Sequence, residues 1–309
     1  MKRRVIKQGH NTLTITLPAK WAQKKGLNAG DEIELIENGN ELLVNASKRL
    51  VANSKTFDIK NAYKYLESYP NNVFLRHMDV CYRLGYDELV INFDDARIVD
   101  FIQNETEFLL GFEIVEQGEN YCIVRNIATG NEEEFDHVLR RIFLTLIGMA
   151  NDSLDAIRKG EFHRLKNISK MEKINNRLTN FCERQLNKTG YKDYRKTNSI
   201  YAMVTLLEQI CDEFNGICLY LGEFEDKSIV LGSETIKLFR QSIDIVESFY
   251  GLFYKFDRVK LYELLKGRHH TINNKALLLL KKQPKEESIV LYHLTSIVGK
   301  AYHLAEAMD

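Results

Sequence analysis

From residue 132 to the end of the chain the apolar residues step by three and four almost without interruption, and no other feature constrains the fold as much. Phe135, Val138, Leu139, Ile142, Phe143, Leu146, Ile147, Ala150, Leu154 and Ile157 form one stripe, which a helix must bury against neighbours. Asn131 stands at an N-cap position, and Glu132, Glu133 and Glu134 suit the positive end of the helix dipole. Gly160 is the natural stop. The same period predicts helices over about 161–187 (ending before Gly190), 196–221, 233–256, 257–282 and 285–307, with Pro284 separating the last two. In the third helix Ile200, Met203, Val204, Leu207, Ile210, Cys211, Phe214, Ile217, Cys218 and Leu221 share a face, and Gly222 follows as a stop. Short connections favour antiparallel neighbours, so six helices in two groups of three are expected. Sliding the third helix by 87 residues sets Leu207 on Leu294, Ile210 on Ile297 and Leu221 on Met308, consistent with two related three-helix units.

The front of the chain has a different period. Residues 1–50 alternate like short strands, with Leu13, Ile15 and Leu17 on one face and Thr12, Thr14 and Thr16 on the other. A short helix over 18–25 follows, with Pro18 in its first turn and Gly26 as its stop. Two strand-like runs then flank Asn38-Gly39-Asn40, a hairpin with an Asn-Gly turn. Residues 55–130 mix helical patterns near 62–69, 72–84 and 96–109 with strand patterns at 88–93, 113–116 and 121–127, a small α/β module. This module holds no phosphate loop and no GxGxxG, and the chain shows no nucleophile–base set, so no enzyme is expected. No apolar run reaches the ~20 residues of a membrane span, and the basic start is not followed by an apolar segment, so a cytoplasmic location is expected. The five cysteines form no CxxC pair and read as buried thiols. Of the histidines, none has ligand spacing.

Formal net charge is zero, from 43 Lys and Arg against 43 Asp and Glu. The neutral total hides an uneven distribution. Residues 1–26 carry Lys2, Arg3, Arg4, Lys7, Lys20, Lys24 and Lys25 with no acid, whereas 27–47 carry Asp31, Glu32, Glu34, Glu37 and Glu41 with no base. Such a cationic cluster is either a footprint for phosphates or a solvated basic surface.

The residues Gly9-His-Asn-Thr-Leu-Thr-Ile-Thr-Leu-Pro-Ala-Lys-Trp-Ala, followed by Gly26-Leu-Asn-Ala-Gly-Asp-Glu-Ile, resemble the AbrB/SpoVT swapped-hairpin family. The likeness lies in a TLP-x-x-W step and a GL-x-x-GD segment, and it departs from the family in the loop Gly9-His10-Asn11-Thr12. The resemblance implies an intertwined homodimer and DNA contact through Arg3, Arg4, Lys7, Lys20 and Lys24. Trp21 is better read as a core aromatic than as a base-stacking one.

In the third long helix Glu208 and Asp212 lie at i and i+4, where two carboxylates can reach one hard cation or simply face solvent. This E-x-x-x-D helix, with Leu139-Arg140-Arg141-Ile142-Phe143 at the head of the first, resembles PhoU-type phosphate-uptake regulators, in particular archaeal members with an AbrB-like N-terminus. The resemblance implies a divalent metal at Glu208 and Asp212 and a role in restraining phosphate uptake. In the 87-residue register Glu208 falls on Thr295 and Asp212 on Gly299, so the second copy lacks both acids; Asp152, Asp155 and Glu172 are the carboxylates that could complete the first. The expected fold class is therefore multidomain α+β. A swapped-hairpin β domain spans 1–50, an α/β module 55–130, and an all-α PhoU-like pair of three-helix bundles 132–309. The expected function is a DNA-binding transcriptional regulator of phosphate uptake, acting as a homodimer. The alternative is an accessory protein that docks on a phosphate transporter or its signalling components and uses the N-terminal domain only to dimerise.

Overall fold

A computed structural model describes residues 1–38, 41–45, 53–60, 73–128, 132–281 and 285–305. The chain divides into two compact units, Met1–Asn53 and Ser54–Asp309.

In the first unit β1 (Ile6–Gln8) pairs antiparallel with β2 (Thr12–Thr14), Ile6 opposite Thr14. Helix α1 (Ala19–Lys24) follows. Pro18 is its N-cap and not a first-turn residue: its ψ of 121° is extended, and its carbonyl accepts the first helical N–H groups, from Trp21 and Ala22. Gly26 ends the helix at φ +65°, a left-handed conformation that a side chain disfavours. β3 (Glu34–Asn38) and β4 (Glu41–Asn45) form a second antiparallel pair, with Asn38 opposite Glu41. The turn expected between them, at Gly39 and Asn40, lies outside the described residues.

The second unit begins with a four-stranded sheet in the order β5–β6–β8–β7. These are β5 (Ser54–Asp58), β6 (Glu88–Asn92), β7 (Phe112–Gln117) and β8 (Tyr121–Asn126). β5 and β6 are parallel and the other pairs antiparallel, with a bulge in β7 between Ile114 and Glu116. β5 is a strand the sequence does not announce, since Ser-Lys-Thr-Phe-Asp holds a single apolar residue; its backbone pairing with β6 creates it. Leu89, Ile91, Cys122 and Val124 alternate onto one face and pack with Met78 and Tyr82 of α2 (Val73–Arg83) and Ile98 and Ile102 of α3 (Ile98–Thr106). The helix expected over 62–69 lies outside the described residues.

Six long helices follow: α4 (Glu132–Lys159), α5 (Met171–Thr189), α6 (Thr197–Leu221), α7 (Ser233–Tyr254), α8 (Arg258–Leu280) and α9 (Lys285–Leu304). α4, α5 and α6 pack on one another, as do α7, α8 and α9, while α6 meets α9 and α4 meets α7 across the two bundles. The helix expected over 161–187 is broken. A 3-10 turn at Phe162–Arg164 and a single turn at Leu165–Ile168 precede α5. Ser169 bonds its hydroxyl back to the carbonyl of Lys166, an alternative to the helical ladder that short polar side chains offer. Gly160 and Gly190 end their helices at positive φ, but Gly222 has an ordinary φ of −68°. There the constraint is space, because a Cβ would stand 2.8 Å from the Cys218 carbonyl oxygen. All five cysteines are buried free thiols. Among the described residues no helix is long and apolar enough to cross a membrane.

The α/β sheet and the first bundle are joined through Arg184 of α5, which is 3% exposed. Its guanidinium donates to the carbonyls of Tyr82 (2.8 Å) and Tyr86 (2.6 Å) and to Asp87 Oδ1 (2.6 Å), with the Tyr82 and Phe112 rings against it. Removing Arg184 leaves the carbonyls of Tyr82 and Tyr86 without this donor, strips the cation from the Tyr82 and Phe112 rings and leaves Asp87 with Lys188 alone. Arg184→Met is expected to lower unfolding free energy by about 3–5 kcal/mol in a urea titration followed by circular dichroism. Arg195→Met, which removes an exposed cation paired with Asp193 two residues away, is expected to leave the urea midpoint unchanged.

Candidate nucleic-acid interface and acidic helix face

Arg3 and Arg4 precede β1, Lys7 stands in β1, and Lys20 and Lys24 are one turn apart on α1. All five are exposed, and no ion pair among the described residues engages them. Among the described side chains of the unit that carries them, residues 1–53, none is buried. Val5, Ile6, Leu13, Ile15, Leu35 and Leu42 are instead 49–70% exposed. Trp21, expected in a core, is half-buried. So many uncovered aliphatic side chains in so short a unit call for a second surface to cover them.

On the helical body, α6 turns its polar side toward α5 and the α/β module. Glu183 of α5, its side chain 1% exposed, accepts from Thr205 Oγ1 (2.8 Å) and from Arg83 Nη1 of α2 (3.2 Å). The other guanidinium nitrogen of Arg83 holds Asp79 at 2.8 Å. Glu208 stands beside this group. Burial, then the charges of Glu183, Asp212 and Asp79, push its carboxyl up to about 7, against the pull of Arg83. Burial also raises Asp212 and Glu172, and the charge of Asp212 raises Glu172 further. Glu105 on α3 is likewise pushed up to about 7, by burial and by Asp79.

Of the carboxylates weighed as companions to Glu208 and Asp212, the structure brings up Glu172, which also accepts from Asn176. Asp155 is engaged by Lys159 (2.9 Å) and Arg164 (3.1 Å), and Asp152 is exposed. Among the described residues no three His, Cys, Asp or Glu side chains converge to hold a metal ion.

The adjacent acid, Glu213, is the polar centre that sequence reasoning passed over. It accepts from His293 Nδ1 (2.6 Å), from Ser296 Oγ (2.8 Å) and from Lys300 Nζ, all on α9. Hydrogen bonds from these three groups, and the Lys300 charge, hold its carboxyl below the usual range despite burial. Gly216 makes room for the His293 ring, which a Cβ there would meet at 2.5 Å. A signal was present in the sequence. In the 87-residue register Glu213 falls on Lys300, so opposite charges occupy equivalent positions of two helices that meet.

Residues 6–49 match a family described as antidote-toxin recognition MazE, bacterial antitoxin. This is the stretch that carries the TLP-x-x-W and GL-x-x-GD residues, so the N-terminal unit is similar to that family. The structure is similar to the crystal structure of the phosphate transport system regulatory protein PhoU from Streptococcus pneumoniae, at 15% identity and a TM-score of 0.46, covering 57% of this chain and 92% of that one. No curated protein matches the chain. Both parts of the expected architecture, a small N-terminal β unit and a mostly helical body of two bundles, are present.

The raised Glu208 carboxyl has a definite sign in stability. The folded protein holds a proton there that the unfolded chain releases near 4.5, so stability is lost as pH rises from about 4.5 through about 7. Glu208→Gln keeps the shape and removes the titration. Between pH 5 and 8 the variant is expected to lose less stability than the parent, by roughly 2 kcal/mol in paired urea titrations.

Proposed function

We propose that the protein is a dimeric DNA-binding regulator whose helical body receives the signal, and that the process it regulates is phosphate uptake. One observation carries the DNA-binding part: seven cations and no acid in residues 1–26, displayed on a unit that buries none of its described side chains. A duplex surface of phosphates matches exposed, unpaired cations at this density, and counterion release would make the contact strongly salt-dependent. The exposed face of Leu13 and Ile15 supports pairing with a second copy, which doubles the basic surface. The match over residues 6–49 to a family of antitoxins agrees with a small dimerising module. In this reading Arg3, Arg4, Lys7, Lys20 and Lys24 contact the backbone of the duplex. The link to phosphate uptake rests on the sequence resemblance of the helices, and a divalent ion at Glu208 and Asp212 is not needed for it.

A gel-shift series from 50 to 200 mM salt tests the proposal. The parent is expected to bind duplex DNA with an affinity that falls steeply with salt. Arg3→Gln, Arg4→Gln and Lys7→Gln together remove six contacts from the dimer and are expected to reduce the slope of log affinity against log salt by about 5. Absence of binding at the lowest salt, or an unchanged slope, rejects DNA contact through this segment and leaves the transporter-docking alternative. Sedimentation of the full chain tests the pairing: the parent is expected to run as a dimer, and Leu13→Glu as a monomer that no longer shifts DNA.

A further inference from the structure

The corner between α7 and α8 has a surface that the DNA-binding reading does not use. Phe256, Val259 and Tyr262 are 46%, 67% and 58% exposed there, within seven consecutive residues. Val259 and Tyr262 are three apart on α8 and so share its outer face, with Phe256 just before the helix starts. Lys266, one turn further along the same face, lies over the Tyr262 ring at 5.3 Å. Beside this apolar edge is a cavity of about 570 Å3, with Lys255 and Lys260 in its wall and Glu263 as its acid. No ion pair among the described residues engages either lysine. Gly251 lines the cavity too, and open space lies where its Cβ would be. The other acid of the corner, Asp257, is held by the backbone, since Oδ1 accepts from the N–H groups of Val259 and Lys260 and caps α8.

We infer that this corner docks on an anionic membrane surface, with Phe256, Val259 and Tyr262 entering the interfacial layer and Lys255 and Lys260 meeting lipid phosphate groups. Aromatic and aliphatic tips interleaved with cations suit the boundary between headgroups and acyl chains, where rings find an apolar layer and ammonium groups find phosphate. A nucleic acid would satisfy the lysines and leave the three apolar side chains in water. An acidic protein segment would do so as well unless it brought its own apolar stripe, whereas a bilayer supplies both. The contact is peripheral, because no helix among the described residues can span a membrane.

Flotation of the full-length protein with vesicles tests the inference. Vesicles of phosphatidylcholine containing about one third phosphatidylglycerol are compared with phosphatidylcholine alone, and the parent is expected to partition at least about tenfold more strongly onto the anionic vesicles. Lys255→Glu with Lys260→Glu is expected to reduce binding to the neutral-vesicle level. Phe256→Ser with Tyr262→Ser, which leaves charge unchanged, is expected to weaken it about fivefold or more. Because these side chains are exposed, each variant should keep the parent's thermal midpoint. A variant with Arg3, Arg4 and Lys7 all changed to Glu separates the corner from the basic N-terminus and is expected to float like the parent. Three results overturn the inference: no flotation of the parent, flotation lost on changing the N-terminus but not the corner, or corner variants that alter the sedimentation state, which would mark a protein–protein contact.

Discussion

The second unit is organised around the burial of one side of α6. Ten of its residues, from Ile200 to Leu221, are at most 2% exposed. A helix with so continuous an apolar stripe must be enclosed, and here α4, α5 and α9 enclose it. That placement sets what the remaining side of α6 can do. Thr205, Glu208 and Asp212 are brought against α5 and the α/β module, and Glu213 against α9. One helix thus touches both bundles and the sheet-bearing module, and its acids lie at each of those junctions.

Charges at these junctions are met by cations from other elements. Glu183 has Arg83, Asp87 has Arg184 and Lys188, and Glu213 has Lys300 and His293. Taking a charge out of water costs several kcal/mol, and pairing with good hydrogen bonds recovers much of it. Such contacts contribute little net stability but strongly disfavour other arrangements, since shifting α5 against α2 would strand Glu183, Arg83 and Arg184 together. Glu208 is the exception. Burial and the neighbouring Glu183, Asp212 and Asp79 raise its carboxyl against the pull of Arg83.

The first unit follows the opposite logic. It has strands, a helix and left-handed glycines in the expected places, but too few residues to bury its own apolar faces. Its cations are exposed and separate in sequence from its acids. A surface that is both uncovered and strongly basic suits a module completed by a second copy and facing a polyanion, which is the basis of the functional proposal.

Helical periodicity, which depends only on which residues are apolar, placed five of the six long helices to within a few residues, missed the late start of α5 at Met171, and named the buried stripe of α6 correctly. Glycines at 26, 160 and 190 could be read because a left-handed backbone favours that residue. The break before α5 could not, since no glycine or proline stands in 161–170 to mark it, nor could β5, whose residues carry no apolar alternation. The proposed roles came from family resemblance; from charge and spacing, the five N-terminal cations and the pair Glu208 and Asp212 were legible as candidates. Their surroundings were not. Glu183, Arg83 and Asp79 come from three separate stretches of chain, and whether a carboxylate meets a metal, an arginine or another acid is decided by which helices pack together. By itself the sequence determined the helices, the stripe they bury and the basic front of the chain. Only the tertiary structure decided that Arg83 would pair with Glu183 of α5 beside Glu208 and that Glu213 would bind α9, because charge interactions depend on distance and burial, which periodicity does not encode.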